Sequence, residues 1–255
     1  MSTSASSARV PPSLSVVVPA FNEAARIGLT VSALQSYLPT LGLGWELRVV
    51  DDGSGDGTTE VVERIARADP RVVLQREPHR GKGGTVRAGM LAARSDLRFM
   101  CDADLSMPVS ELSRFLDLVP SRFDIVIGSR EGAGAQRIGE PAYRHVMGRA
   151  FNALVRSVAV PAVHDTQCGF KMFTGAAADA VFSRTTIDGW AFDIEALVIA
   201  SQLDLRVHEM PIEWHYRELS RVSPGRDSLL MARDVLKIRW NAARGTYNAP
   251  RAHRL

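Results

Sequence analysis

Short apolar runs near 14–18, 46–51, 71–75, 97–101 and 124–128 alternate with stretches of helical length, and this alternation most constrains how the chain can fold. It implies a largely parallel central sheet flanked by helices, an α/β architecture. Helices are expected over 23–37, 58–68, 84–93, 108–118, 144–158, 192–201 and 227–243, with later strands over 169–173 and 206–215. At 255 residues the chain can bury a full core as one domain.

The informative residues lie where these runs end. Arg98-Phe99-Met100-Cys101 stops at Asp102 and Asp104. A core cannot neutralise such a pair cheaply, so both belong at the C-terminal edge of the sheet, where parallel α/β folds bind ligands. Asp-x-Asp leaves metal positions open for diphosphate oxygens and suits Mg²⁺ or Mn²⁺; alone, it equally fits a solvated turn. The first run closes on Pro19 and continues Ala20-Phe21-Asn22-Glu23, with Asn22 placed to cap a helix from Glu23. The second ends in Asp51-Asp52-Gly53-Ser54-Gly55-Asp56-Gly57-Thr58. An acid there can accept from a uracil imide or ribose hydroxyls, and the same stretch also reads as a turn with Asp56 or Thr58 capping the next helix.

Arg80-Gly81-Lys82-Gly83-Gly84-Thr85 suggests a phosphate-binding P-loop, but the position that motif requires to be glycine holds Arg76. The 53–58 turn does not give the G-x-G-x-x-G dinucleotide fingerprint either.

Taken in order, Val-Pro-Ala-Phe-Asn-Glu (18–23), Asp-Asp-Gly-Ser-Gly-Asp-Gly-Thr (51–58), Gly-Lys-Gly-Gly (81–84) and Asp-Ala-Asp-Leu-Ser (102–106) resemble the family 2 inverting glycosyltransferases of GT-A fold. Gly-Ser-Arg (128–130), Asp-Thr-Gln-Cys-Gly-Phe-Lys-Met-Phe (165–173) and Trp-Ala-Phe-Asp-Ile-Glu (190–195) resemble the dolichyl-phosphate (polyprenyl-phosphate) glucosyltransferase branch. The resemblance runs from about Leu14 to about Gly245. It implies a single GT-A domain that takes a UDP-sugar donor and a polyprenyl-phosphate acceptor. Pro19, Ala20, Phe21, Glu23, Asp51, Asp52, Gly53, Lys82, Asp102 and Ala103 would form the nucleotide pocket, with Asp51 reading uracil and Asp52 bracing the turn. Asp104, helped by Asp102, would hold Mg²⁺ or Mn²⁺ against the leaving diphosphate. Arg130, Arg144 and Arg221 would cradle the acceptor phosphate, although each also reads as a surface ion pair and Arg137 lies close to Arg144 in sequence.

A lipid phosphate, with its second pKa near ~6, is largely a dianion at neutral pH and attacks without a base. A sugar or glycerate hydroxyl would require one, and Asp193 is then the catalytic candidate. Asp193 equally reads as a helix cap, Glu195 as a solvent-facing side chain, Lys82 as a solvated lysine and Trp214-His215-Tyr216 as strand. His164 and His215 also admit a metal reading. Ser106 stands where mannosyltransferase relatives often carry glutamine, which favours UDP-glucose over GDP-mannose.

Residues 1–13 read as a disordered Ser/Ala-rich tail, 14–220 as the catalytic domain, and 221–255 as a basic acceptor loop followed by an amphipathic helix. No run of about eighteen apolar residues occurs, and two cysteines, Cys101 and Cys168, make no disulfide framework, so a cytoplasmic enzyme peripheral to the inner face of a membrane is expected. Residues 221–255 carry eight basic side chains and two acids, a net of +6 in a chain of +3, which leaves about −3 elsewhere. With Leu229, Leu230, Val235, Leu236, Ile238 and Trp240 interspersed, the segment fits a helix on an anionic membrane or one packed on the sheet. Nucleic acid is not an expected partner, because no stacking aromatics interleave with the charges. No oligomeric partner is indicated. A soluble hydroxyl acceptor, and a non-catalytic sugar-nucleotide-binding protein, stand as alternatives.

Overall fold

The computed structural model describes residues 13–141, 148–149, 152–153, 155–156, 160, 162–216 and 226–250, with side chains from 230 onward in the last segment. The five expected runs form β1 (Leu14–Ala20), β2 (Trp45–Asp51), β3 (Val72–Arg76), β4 (Leu97–Cys101) and β5 (Ile125–Ser129). β6 (Gln136–Ile138), β7 (Phe170–Thr174), β8 (Val207–Pro211) and β9 (Glu213–His215) follow. The main sheet has the order β3-β2-β1-β4-β7-β5-β8, and β6 pairs with β9 in a small second sheet. Neighbours in the main sheet run parallel, except that β7 is antiparallel to both β4 and β5. This reversal sets Phe170 opposite Cys101 and Lys171 opposite Met100, so the chain enters β7 beside the point where β4 ends.

Because strand side chains alternate, each strand feeds two cores. Val16, Val18, Leu47, Val49, Phe99 and Met172 face α1 (Ile27–Tyr37), α2 (Thr58–Ala68) and the short α4 (Leu112–Leu116), which contribute Val31, Leu34, Val62 and Phe115. Val17, Val50, Met100, Ile127 and Phe173 face α3 (Lys82–Ala92), α5 (Gly175–Phe182), α6 (Phe192–Gln202) and α7 (Arg226–Ala243). Gly89 is needed on α3, since a Cβ there would lie 2.6 Å from methyl groups of both Val17 and Val50.

Several elements differ from the sequence reading. α1 starts at Ile27 rather than Glu23, because Asn22 does not cap it. Asn22 takes a left-handed φ of 52° and accepts the Gly55 N–H (2.9 Å), while the Glu23 N–H donates to Thr58 Oγ1 (2.7 Å). Residues 22–26 therefore hold the glycine-rich turn. The 108–118 helix is only a 3₁₀ turn (Val109–Glu111) running into α4. The 206–215 strand breaks at Ile212, whose N–H donates to Ser129 O in the main sheet and whose carbonyl accepts from Gln136 at the small one. α5 and β6 were not expected; the Thr174 side chain, accepting the Ala177 N–H at 3.1 Å, is the local start signal for α5. The described residues within the expected 144–158 helix are helical.

Candidate active site

Asp51 and Asp52 end β2 and divide the work. Asp52 braces the loop after β3, accepting the backbone N–H groups of Arg80 (2.9 Å) and Gly81 (3.0 Å) and pairing with His79 Nδ1 (2.8 Å). Asp51 accepts the Ser54 N–H through Oδ2 (3.0 Å), while its Oδ1 is buried without a hydrogen-bond partner. Such an orphaned acceptor is costly unless a ligand donor meets it. Phe21 stacks on His79 with ring centroids 4.3 Å apart, above a turn in which Gly53 takes φ +73° and a Cβ would press 3.2 Å from His79 N. Sequence reasoning missed His79, since a lone histidine in a polar loop carries no periodic signal. Pro19 and Ala20 are buried at the end of β1, where Ala20 O accepts the Asp52 N–H (2.9 Å). The Glu23 carboxylate is tied to Arg26 by two hydrogen bonds. Glu23, reinforced by Asp104 and Asp102, holds the Arg26 guanidinium above its ordinary pKa.

The Gly81–Gly84 run is a packing seat. The N–H groups of Gly83 and Gly84, which an anion-binding helix start would leave free, donate to Asp188 O (2.8 and 3.2 Å). A Cβ on Gly83 would lie 2.6 Å from both Ile187 O and Phe192 Cβ. The segment leading into α6 thus lies directly on the start of α3. Lys82 is the first residue of α3, with its Nζ 2.7 Å from Asp102 Oδ1 and 5.5 Å from the centre of the Trp190 ring. Burial by itself lowers the pKa of Lys82, but Asp102, Asp193 and Asp104 outweigh it and keep the ammonium above its ordinary value.

Asp104 lies one residue beyond Ala103, whose carbonyl accepts from Thr30 Oγ1 (2.5 Å) and anchors the loop to α1. Asp104 Oδ1 accepts the Ser106 N–H (3.0 Å), and Ser106 O accepts from His215 N (2.7 Å). Burial raises the Asp104 carboxyl pKa and the neighbouring Asp102 charge raises it further, a crowding that a bound cation relieves. Among the described residues no three His, Cys, Asp or Glu side chains converge on one point. A two-carboxylate site fits a hard cation that keeps water and phosphate oxygens as its other ligands.

The 165–171 segment clasps the site at three points. Asp165 engages Arg130 in a buried two-pronged ion pair (2.7 and 2.8 Å) and also accepts its backbone N–H. Arg130, expected to cradle an acceptor phosphate, turns its Nε–Nη2 edge to this carboxylate and lies 5.4 Å from the Trp214 ring centre. Burial alone would raise Asp165, yet Arg130 holds it down at about 2. At the second point, Asp102 lies over Gly169, where a Cβ would fall 1.8 Å from Oδ2. At the third, Lys171, buried in β7, donates to Cys168 O and pairs with Asp193. Asp193 does not cap α6; it lies in the first turn, and burial raises its carboxyl pKa against the pull of Lys171 and Lys82.

Glu195 does not face solvent. It is fully buried and accepts from the Thr186 and Ile187 N–H groups (2.8 Å each), Thr186 Oγ1 (2.6 Å) and Tyr247 Oη (2.8 Å). His215 lies in β9 with Nε2 2.6 Å from Glu213, and His164 Nδ1 is 2.9 Å from Glu209, so neither histidine joins the acid pair. Both cysteines are buried, and burial pushes the Cys168 thiol up to about 12. Arg144 and Arg221 lie outside the described residues.

A mostly parallel sheet with one reversed strand, carrying acids and an orphaned aspartate oxygen at its C-terminal edge, is the GT-A architecture. Mannosyl-3-phosphoglycerate synthase from Rubrobacter xylanophilus has this fold (TM-score 0.63, 17% identity, 92% of this chain and 73% of that one). So does glucosyl-3-phosphoglycerate synthase from Mycobacterium tuberculosis, solved with Mn²⁺ and UDP-glucose (TM-score 0.60, 20% identity, 94% and 81%). The glycosyl transferase family 2 model matches residues 15–182, and the chain belongs to that family. Over 254 residues it is 32% identical to the dolichyl-phosphate β-glucosyltransferase of Saccharomyces cerevisiae, covering 92% of this chain and 76% of the relative. The human protein of the same name is 32% identical over 257 residues, covering 95% and 79%.

Proposed function

We propose that this chain transfers glucose from UDP-glucose to a polyprenyl phosphate of the dolichyl type, with inversion at the anomeric carbon and with Mg²⁺ or Mn²⁺ bound. The relatives that match nearly the whole chain are named dolichyl-phosphate β-glucosyltransferases, which supports glucose transfer to a dolichyl phosphate. The observation that carries the acceptor choice is the buried pairing of Lys171 with Asp193. A hydroxyl acceptor needs a carboxylate free to take its proton, and the candidate at this position is engaged by a lysine. A phosphate dianion needs none.

Asp51 Oδ1 accepts the uracil N–H that would satisfy it, and Phe21 with His79 walls the base. Asp102 and Asp104 would hold the cation, which when bound supplies electrostatic stabilisation of the departing diphosphate. Lys82 adds a fixed positive charge beside Asp102. An oxygen of the acceptor phosphate forms a bond to C1 as the bond from C1 to the β-phosphate oxygen breaks. UDP leaves with that electron pair, and a single displacement converts the α-linked donor to a β-linked product. Arg144 and Arg221 are assigned to the acceptor phosphate. Arg130 and Asp193, each engaged by an opposite charge, are positioning residues. A lipid acceptor sets the reaction at a membrane surface, with the chain peripheral at the cytoplasmic face; among the described residues no helix is long and apolar enough to cross a membrane.

A turnover screen of UDP-glucose and GDP-mannose against polyprenyl phosphate and 3-phosphoglycerate, with and without EDTA, tests the reading. Turnover confined to UDP-glucose with polyprenyl phosphate and abolished by EDTA is expected. Turnover with 3-phosphoglycerate instead, or full activity in EDTA, refutes the acceptor or the metal respectively.

A further inference from the structure

α7 buries one face and leaves the other open. Met231, Val235 and Ile238 enter the core. On the opposite side, Leu230 (43% exposed), Leu236 (65%) and Trp240 (62%) make up three of the five exposed large hydrophobic side chains among the described residues. Arg233, Lys237, Arg239 and Arg244 are exposed beside them, and the Arg244 guanidinium lies 5.3 Å from the Trp240 ring centre. Positions 230, 233, 236, 237, 240 and 244 recur every three or four residues and so share one helical face. Asp234, the one acid on α7 with a described side chain, is turned away beside Gly189.

We infer that this face docks the protein on an anionic lipid bilayer, with Leu236 and Trp240 at the headgroup boundary and Arg233, Lys237 and Arg244 against lipid phosphates. An exposed apolar patch inside a basic field is what an interfacial helix presents. A second copy is the poorer occupant, since a twofold contact would oppose two faces of the same positive sign. The placement also serves the site. Asp234 lies beside Gly189, and Gly189 belongs to the segment seated on Gly81–Gly84 next to Lys82, so α7 stands between the docking face and the catalytic edge. The inference rests on the lipid-acceptor reading for its purpose, not for its test.

The full chain is mixed with vesicles of phosphatidylcholine alone or with 30% phosphatidylserine, without donor or acceptor, and bound protein is separated by flotation. Binding to the anionic vesicles that weakens with salt is expected. Leu236→Ser with Trp240→Ala, and separately Arg233→Glu with Lys237→Glu, should each bind at least ~10-fold more weakly while keeping the wild-type melting temperature and UDP affinity. Wild-type protein that ignores anionic vesicles at low salt, or variants that bind as wild type does, overturns the inference. A concentration-dependent dimer dissolved by the Leu236/Trp240 variant gives the face to a second copy and overturns it equally. Vesicle binding that persists in a protein unable to use polyprenyl phosphate supports the docking and refutes the acceptor alone.

Discussion

Replacing Gly169 by alanine would put a methyl group where the Asp102 carboxylate now lies. The added Cβ would stand 1.8 Å from Oδ2, 2.3 Å from Cγ and 2.8 Å from Oδ1. To regain an ordinary contact of 3.4 Å, Oδ2 must withdraw by about 1.6 Å, which also disturbs the 2.7 Å pairing of Oδ1 with Lys82. Asp102 is the end of a side chain, one-quarter exposed, so it can swing away at modest cost, about 1–2 kcal/mol of stability. The same movement removes a carboxylate from the diphosphate site, and displacements of about 1 Å at a reacting centre cost on the order of 10²-fold in rate. Gly169→Ala should therefore lower kcat with UDP-glucose and polyprenyl phosphate about a hundredfold, weaken Mn²⁺-dependent UDP binding in calorimetry, and lower Tm by only a few degrees. Gly44→Ala, where nothing lies within 4 Å of the added carbon, is the neutral control. A Gly169→Ala enzyme within threefold of wild type would refute the argument that this glycine exists to seat Asp102.

Asp104→Ala should abolish turnover and the metal-dependent part of UDP binding without lowering Tm, as read by calorimetry and thermal melting. Asp51→Ala should weaken UDP binding at least tenfold, because a hydrogen bond to a charged acceptor contributes ~1.5–3 kcal/mol; unchanged affinity would remove Oδ1 from the base site. Asp165 has its carboxyl pKa depressed from 3.8 to about 2, so its stabilisation is complete above about 3.8 and is lost as pH falls through about 2. Asp165→Asn should then cost roughly 3–5 kcal/mol at pH 7, by leaving Arg130 buried and unpaired, and the difference from wild type in urea melts should shrink below pH 3. Asp193→Asn should destabilise for the same reason at Lys171, whereas the double variant Lys171→Met, Asp193→Leu should regain stability. That double variant should keep turnover with polyprenyl phosphate within about tenfold, and a loss of ~10²–10⁴ at unchanged UDP affinity would return Asp193 to the role of base.

The sequence by itself determined the sheet, its strand ends and the class of chemistry there. A run such as Arg98-Phe99-Met100-Cys101 meeting Asp102 changes from apolar to charged within one residue, and that local contrast suffices to end a strand and expose an acid. The same contrast marks Asp51 and Asp52 together, and their separate roles came only from the family resemblance. Tertiary structure alone decided which charges are free. Arg130 meets Asp165 35 residues away, Lys171 meets Asp193 22 away, and Glu195 meets Tyr247 52 away. The first two partners depend on β7 entering the sheet in reverse between β4 and β5, which carries 165–171 to the catalytic edge, and the third on α7 packing against α6. The sequence pattern of α7 likewise admitted either packing or membrane contact. The fold buries Val235 and Ile238 while leaving Leu236 and Trp240 outside, because a helix packed on one side against α6 can bury only the face it turns to that neighbour.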